Sequence, residues 1–218
     1  MLNKFKNRIV VVCGHYGAGK TNVAVNLAKL AAANGKKVSI ADLDVVNPYF
    51  RTADNAEELT ALGIRCIIPQ FANSNVDIPS IPPEFLSVFD GTDFSVIDVG
   101  GDDGAIALSM YKEKFEKHGY DMLYVYNACR PLTTTVEEAE QSLRDIEAMS
   151  RLKFSGIVNN TNLGDQTVAQ TVEKGIEVCK ELSKKTGIPF LGNTVLKNVS
   201  GVTADDVIYM DNATKQLF

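Results

Sequence analysis

Ile9-Val10-Val11-Val12-Cys13 runs straight into Gly14-His15-Tyr16-Gly17-Ala18-Gly19-Lys20-Thr21, and Asn22 to Asn34 then carries Val23, Leu27, Leu30 and Ala31 at helical spacing. A β-branched run without polar alternation suits a strand buried on both faces of a parallel sheet. The eight residues after it match G-x-x-x-x-G-K-[ST] without a gap, and Gly35 stops the helix. Glycines in such a loop permit φ > 0 and leave no side chain between backbone N–H groups and a triphosphate. Lys20 is placed to reach the β- and γ-phosphates and the Thr21 hydroxyl to sit on Mg²⁺. The helix start turns its positive end toward the same anion. Gly14, His15, Tyr16, Gly17, Ala18, Gly19, Lys20, Thr21 and Asn22 are therefore the candidate nucleotide contacts.

The rest of the chain bounds this reading. A length of 218 residues fits one α/β domain, residues 1–218, with a substantial core. A formal charge of −5 argues against a general nucleic-acid binder, because phosphate contacts need a basic face. No apolar run approaches the ~20 residues of a membrane span. Met1 to Arg8 lacks the apolar core of a signal peptide. Cys13, Cys66, Cys129 and Cys179 are far apart, with no C-x-x-C pair, so free thiols in a reducing cytoplasm are expected.

Strand and helix patterns alternate from there. Lys37 to Leu43 reads as a second strand running into Asp42-Leu43-Asp44, and Val45 to Arg51 as an ordered, proline-broken loop. Thr52 to Leu62 reads as a short helix stopped by Gly63, and Ile64 to Ile68 as a third strand. Residues 70–83 read as a surface loop entering a helix near Pro83 to Phe89. Phe94 to Val99 is the next strand, and Gly100-Gly101-Asp102-Asp103-Gly104 opens a helix to about His118. Met122 to Tyr126 is a fifth strand. Thr135 with Glu138 forms a capping box for a helix carrying Val136, Leu143, Ile146 and Met149. Phe154 to Val158 is a sixth strand, and Val168 to Leu182 a helix stopped by Gly187. Ile188 to Leu191 is a last short strand, with a short helix expected in the weakly patterned C-terminus. Such alternation predicts a mostly parallel sheet with helices on both faces.

Polar residues gather at the strand ends: Asp42, Asp44, Asp98, Asn127 and Asn159-Asn160. Ligands collect at the carboxyl edge of such sheets. Each residue alone reads better as a turn starter; their meeting on the edge that carries the glycine loop is what favours a site. Asp98 stands where an acid holds Mg²⁺. Asp98-Val99-Gly100-Gly101 matches D-x-x-G, in which the Gly101 N–H can sense a γ-phosphate. Asp44 is expected to orient the attacking water while Asp42 supports the metal shell, with the reverse assignment left open.

Taken together, the glycine loop, Asp42-Leu43-Asp44, Asp98-Val99-Gly100-Gly101 and Asn159-Asn160 resemble the MinD/ParA class of P-loop ATPases, which includes the CobQ/CobB-type nucleotide-binding domains and the nitrogenase iron protein. The resemblance covers nearly the whole chain. It implies a three-layer P-loop fold with a seven- or eight-stranded, mostly parallel sheet, Mg-ATP binding, slow hydrolysis and often a nucleotide-sandwich homodimer. It also implies that Asn160, spaced from Gly156 as in the iron protein, reads the adenine. No [NT]-K-x-D motif occurs, which favours ATP over GTP. The class carries a second lysine early in its loop, where this chain has His15, Tyr16 and Gly17.

Three functions fit these residues. The first is an ATPase whose nucleotide states present different surfaces to a protein partner. The second is a metabolite kinase or ligase resembling dethiobiotin synthetase, with Asn47 to Arg51 and Arg130 lining an acceptor pocket. The third is a nucleotide-driven metal-insertion factor, disfavoured by the lack of paired Cys or a His tract. Membrane attachment would need a basic amphipathic tail, and Asp205 to Asp211 is acidic.

Overall fold

A computed structural model describes residues 1–43, 55–68 and 81–213. Asp44, the loop Val45 to Arg51, the start of the helix expected from Thr52 and most of the 70–83 loop lie outside the described residues. Eight strands of the described residues form one sheet: β1 (Ile9–Cys13), β2 (Val38–Asp42), β3 (Arg65–Ile67), β4 (Phe94–Asp98), β5 (Asp121–Tyr126), β6 (Gly156–Asn159), β7 (Phe190–Leu196) and β8 (Val207–Met210). Their order is β3-β2-β4-β1-β5-β6-β7-β8, and every neighbouring pair is parallel. The described α-helices are α1 (Lys20–Ala33), α2 (Ala56–Ala61), α3 (Gly101–Ser109), α4 (Lys112–His118), α5 (Val136–Ser150) and α6 (Ala169–Thr186). None of them is long and apolar enough to cross a membrane.

The two-residue period of the strands sorts the core into two layers. On β1, Ile9, Val11 and Cys13 pack with Leu108 of α3, Phe115 of α4, Leu143 of α5 and Leu182 of α6. Val10 and Val12 face the other way, onto Val23, Leu27 and Ala31 of α1 and Leu59 of α2. Burial on both sides is why β1 shows no polar alternation. From β1 the chain moves through α1 to β2 on one side, whereas β5 leads through α5 to β6 on the other. The carboxyl ends of β1 and β5 thus flank the point where the winding reverses, and a crevice opens there.

Four details differ from the sequence expectations. The helix expected to reach His118 is two, broken around Met110 and Tyr111. Tyr111, at the break, lies 4.9 Å from the Phe85 ring, and Phe115, one turn on, lies 5.0 Å from the Phe89 ring. Pro83–Phe89 is a 3-10 segment rather than an α-helix. β7 extends through Gly192, Asn193 and Thr194 to Leu196. The expected C-terminal helix is β8, an edge strand paired to β7. Gly192 explains how the two fit: a Cβ there would strike the Asp206 backbone as it enters β8.

The turn from α5 into β6 is held by one buried carboxylate. Glu147 accepts from Lys153 Nζ at 2.9 Å, Arg144 Nη1 at 2.9 Å and the Phe154 N–H at 3.1 Å. Burial pushes its pKa up, but these three donors outweigh that and hold it below the usual carboxylate value. A depressed pKa stabilises the fold above the unfolded value, near 4.3, and that contribution is lost as pH falls through the folded value. Glu147→Gln is therefore expected to cost about 1–2 kcal/mol at pH 7, with the gap from the parent closing below about pH 4. Urea melts at both pH values check it; a gap that persists in acid would show that the charge is not the cause.

Candidate functional site

The glycine loop leaves the end of β1 and enters α1 as the motif requires. Gly19 is the N-cap of α1 in the left-handed region, at φ 85°. The Ala18 N–H closes the turn on His15 O at 3.1 Å. Lys20, only 9% exposed, donates from Nζ to the same carbonyl at 3.2 Å. Gly14 has a reason of its own: a Cβ there would collide with the Val125 carbonyl on β5. Its glycine is fixed by sheet packing, before any ligand is considered. Tyr16 and Gly17 are exposed at the loop tip, and His15 is half-buried.

Asp42 and Asp98 end neighbouring strands and are Cα partners in register. Both are 1% exposed. They continue the alternation of Ile40 and Val96, whose side chains belong to the α1 layer. That direction turns both carboxylates toward the side on which α1 lies, with Thr21 in its first turn. Asp98 and Lys20 are close enough to act on one reporter, the Cys13 thiol. Burial pushes its pKa far up, Lys20 pulls it back and Asp98 pushes it further. Asp42, Asp98 and the Thr21 hydroxyl are all hard oxygen donors. Among the described residues no group of three His, Cys, Asp or Glu is arranged to hold a metal alone. Mg²⁺ at a nucleotide site needs only one or two carboxylates, the remainder coming from phosphates and water, so this donor set fits it.

Asn160, expected at the adenine, lies beneath the loop. It is 2% exposed, its Nδ2 donates to Ala18 O at 2.7 Å, and its Oδ1 accepts from Thr194 Oγ1 at 2.7 Å. With both ends of the amide engaged inside the protein, it clamps the phosphate loop to β7. Its neighbours extend the same lattice. Asn159 Nδ2 donates to Val172 O and Asn193 Oδ1, each at 3.0 Å, and Asn127 Oδ1 accepts from Cys129 N at 2.9 Å. Buried amides satisfied in this way fix the strand ends as a rigid floor.

Above that floor lies a cleft of about 1360 Å³ lined by Tyr16, Lys20, Gly101, Arg130, Asn162 and Asn212, among others. Gly101 is the first residue of α3 and faces the loop across the cleft. Arg130 arrives from the segment after β5 and donates from Nε to Gly17 O at 2.8 Å. Asn22, predicted as a nucleotide contact, lines the cleft and also anchors the C-terminal segment. Its Oδ1 accepts from Ala213 N at 2.6 Å, and its Nδ2 donates to Asn212 Oδ1 at 3.2 Å. Asn26 adds a bond to Asp211 O at 2.9 Å. Asn212 was not legible as a site residue. It follows an edge strand that itself went unread, and no local motif marks it.

The family described as CobQ/CobB/MinD/ParA nucleotide binding domain matches residues 9–206. A cytosolic Fe-S cluster assembly factor NUBP2 homolog of Culex quinquefasciatus is 25% identical over 213 residues, covering 92% of this chain and 72% of that protein. An iron-sulfur cluster carrier protein of Salmonella typhimurium is 44% identical over 57 residues, 26% of this chain, and the match spans only 15% of the carrier's length. Among solved structures, chloroplast FtsY from Physcomitrella patens superimposes with a TM-score of 0.55 at 17% identity, covering 88% of this chain and 59% of that one. FtsY from Thermotoga maritima gives 0.55 at 18% identity, covering 93% and 65%. These structural likenesses concern the fold.

Proposed function

Since the chain belongs to the CobQ/CobB/MinD/ParA nucleotide-binding domain family, we propose that it binds Mg-ATP, hydrolyses it slowly and switches a protein partner between the two nucleotide states. The observation that carries this reading is Lys20, a buried ammonium set in a glycine cradle on the strand edge that also bears two buried carboxylates. An ammonium held out of water is stabilised by anionic company. A triphosphate laid on the loop would bring further negative charge to it at the β- and γ-phosphates, with the N–H groups of the α1 start as further donors.

Thr21, Asp98 and Asp42 would hold Mg²⁺, which when bound neutralises charge on the β- and γ-oxygens. Asp44 orients the attacking water in this reading. Gly101 opens α3, so its N–H is suited to report the γ-phosphate, and loss of that contact would release the helix start. Downstream on and after α3, Ile106 is 52% and Met110 76% exposed. These two apolar side chains give the switch a surface for a protein partner. Iron–sulfur cluster carriage, named for some relatives, is not extended to this chain. Its cysteines lie in β1, in β3, after β5 and in α6, and burial pushes the Cys13 and Cys179 thiols well up.

The base is best accommodated at the end of the cleft that Asn162 and Asn212 line. Adenine presents an N6–H₂ donor and an N7 acceptor, which an amide can match in part, whereas a carboxylate suits the N–H donors of guanine. Titration calorimetry with Mg-ATP and Mg-GTP tests the whole proposal. ATP is expected to bind at least about 10-fold tighter, and Asn212→Asp to narrow that ratio. GTP binding as tightly as ATP would remove the adenine assignment, and no binding of either would remove the function. Turnover by the protein alone should stay below about one per second.

A further inference from the structure

We propose that Arg130 is a catalytic cation of this site, delivered within the same chain and seated by the phosphate loop itself. The inference rests on the nucleotide reading above and adds to it the residue that stabilises the transferring phosphoryl group. Three observations carry it. First, the guanidinium is fixed against the loop. Nε donates to Gly17 O at 2.8 Å, and a Cβ on Gly17 would come within 3.3 Å of that nitrogen, so the bare glycine is its seat. Of the five N–H donors of an arginine, this bond uses one and leaves the fork at the far end for another acceptor.

Second, the backbone that carries Arg130 is held from several directions. Arg130 N donates to Asn127 O at 3.2 Å, and Thr133 Oγ1 donates to both Asn127 O at 3.0 Å and Arg130 O at 3.1 Å. Tyr126 Oη donates to Thr133 O at 2.7 Å, closing the loop back onto β5. Leu132 sits at φ 61°, a strained value for a residue that is 68% exposed. Ordered backbone at that cost is characteristic of a positioned side chain. Third, Arg130 lines the cleft beside Lys20 and Gly101, and no carboxylate among the described residues pairs with it.

In the step it serves, the oxygen of water bonds to the γ-phosphorus while the bond to the β–γ bridging oxygen breaks. That oxygen leaves with the electron pair on ADP, and the water proton passes to the released phosphate or to solvent. Negative charge grows on the bridging and equatorial oxygens, where a guanidinium is most effective.

The test compares Arg130→Ala and Arg130→Lys with the parent in single-turnover ATP hydrolysis, alongside Kd for ADP alone and for ADP with aluminium fluoride, which mimics the transferring phosphoryl group. Expected are a fall in hydrolysis of about 100-fold or more, a Kd for ADP within about 3-fold of the parent, and loss of the extra affinity that aluminium fluoride confers. Arg130→Lys should recover only part, because an ammonium cannot hold Gly17 and fork onto the phosphate together. A purely structural role would weaken ADP and ADP–aluminium fluoride alike, and that result overturns the proposal. Mixing Lys20→Ala chains with Arg130→Ala chains settles the route. Restored turnover means that the arginine comes from a second copy and overturns the same-chain assignment; no restoration supports it. A parent that hydrolyses nothing fails the nucleotide reading and this proposal with it, whereas an Arg130→Ala chain as active as a working parent fails this proposal alone.

Discussion

Lys20→Ala is expected to raise the Kd for Mg-ATP by about 10²–10⁴-fold while the nucleotide-free protein stays folded, within about 1–2 kcal/mol of the parent. The affinity figure follows from the bonds lost. A charge-assisted hydrogen bond contributes about 1.5–3 kcal/mol, and an ammonium reaching both the β- and γ-phosphates makes two of them. That amounts to about 3–6 kcal/mol, or two to four orders of magnitude in Kd. The stability half follows from two opposed effects. In the nucleotide-free protein the ammonium is 9% exposed and donates to His15 O at 3.2 Å. Its removal gives up the interactions of the charge but also the cost of holding that charge out of water, and the two largely offset. Thermal melts with and without nucleotide display both effects at once. The parent midpoint should climb with ligand by mass action, about 2.7 kcal/mol at a hundred times Kd, and the variant midpoint should not. A Lys20→Ala chain that still binds Mg-ATP at parental affinity would overturn the site assignment. A variant that loses binding only because it has unfolded would show a collapsed midpoint instead.

How much of this was readable before folding depended on whether the information was local. The strand, glycine loop and first turn of α1 occupy neighbouring positions, and each part predicts the next. The Thr135–Glu138 box is equally local and is present in both directions, with Glu138 N donating to Thr135 Oγ1 at 3.2 Å and Thr135 N to Glu138 Oε2 at 3.2 Å. The strand-end acids were legible as a set because parallel α/β chains bring all such ends to one edge. Asn193 and Thr194 interrupt what would otherwise read as an apolar strand. Their reason to be buried in β7 lies in Asn159 and Asn160, more than thirty positions away. For β8, Val207-Ile208-Tyr209-Met210 had strand composition. An edge strand four residues long beside a run of acids has little pattern to show. Asn160 is marked by its strand-end position, but its bonds to Ala18 and Thr194 are not. Residue type and strand-end position do not reveal whether an amide points up at a base or down at a loop.

That buried amide leads to the remaining prediction, which concerns Gly19. At φ 85° it holds a conformation that only glycine adopts at low cost, and the αL region costs other residues about 1–2 kcal/mol. Space is the second constraint, since a Cβ on Gly19 would land on Asn160 Nδ2. That nitrogen supports the Ala18 carbonyl at 2.7 Å, so Gly19→Ala would push Asn160 away and strip a buried acceptor of its donor. An unsatisfied buried group costs about 1–3 kcal/mol. The expected total is about 2–5 kcal/mol of lost stability, together with loss of Mg-ATP binding because the loop no longer holds its shape. Asn160→Ala alone should cost the hydrogen bonds, about 1–3 kcal/mol, and weaken nucleotide binding less severely. The two changes share one clash and one bond, so their effects should not add. In the Asn160→Ala background, Gly19→Ala should cost only the backbone part, leaving a coupling of about 1 kcal/mol or more. Denaturant melts of the parent, both single variants and the double variant measure that coupling. Strict additivity would mean that Asn160 does not support the phosphate loop through Ala18, and the clamp would have to be sought elsewhere on β7.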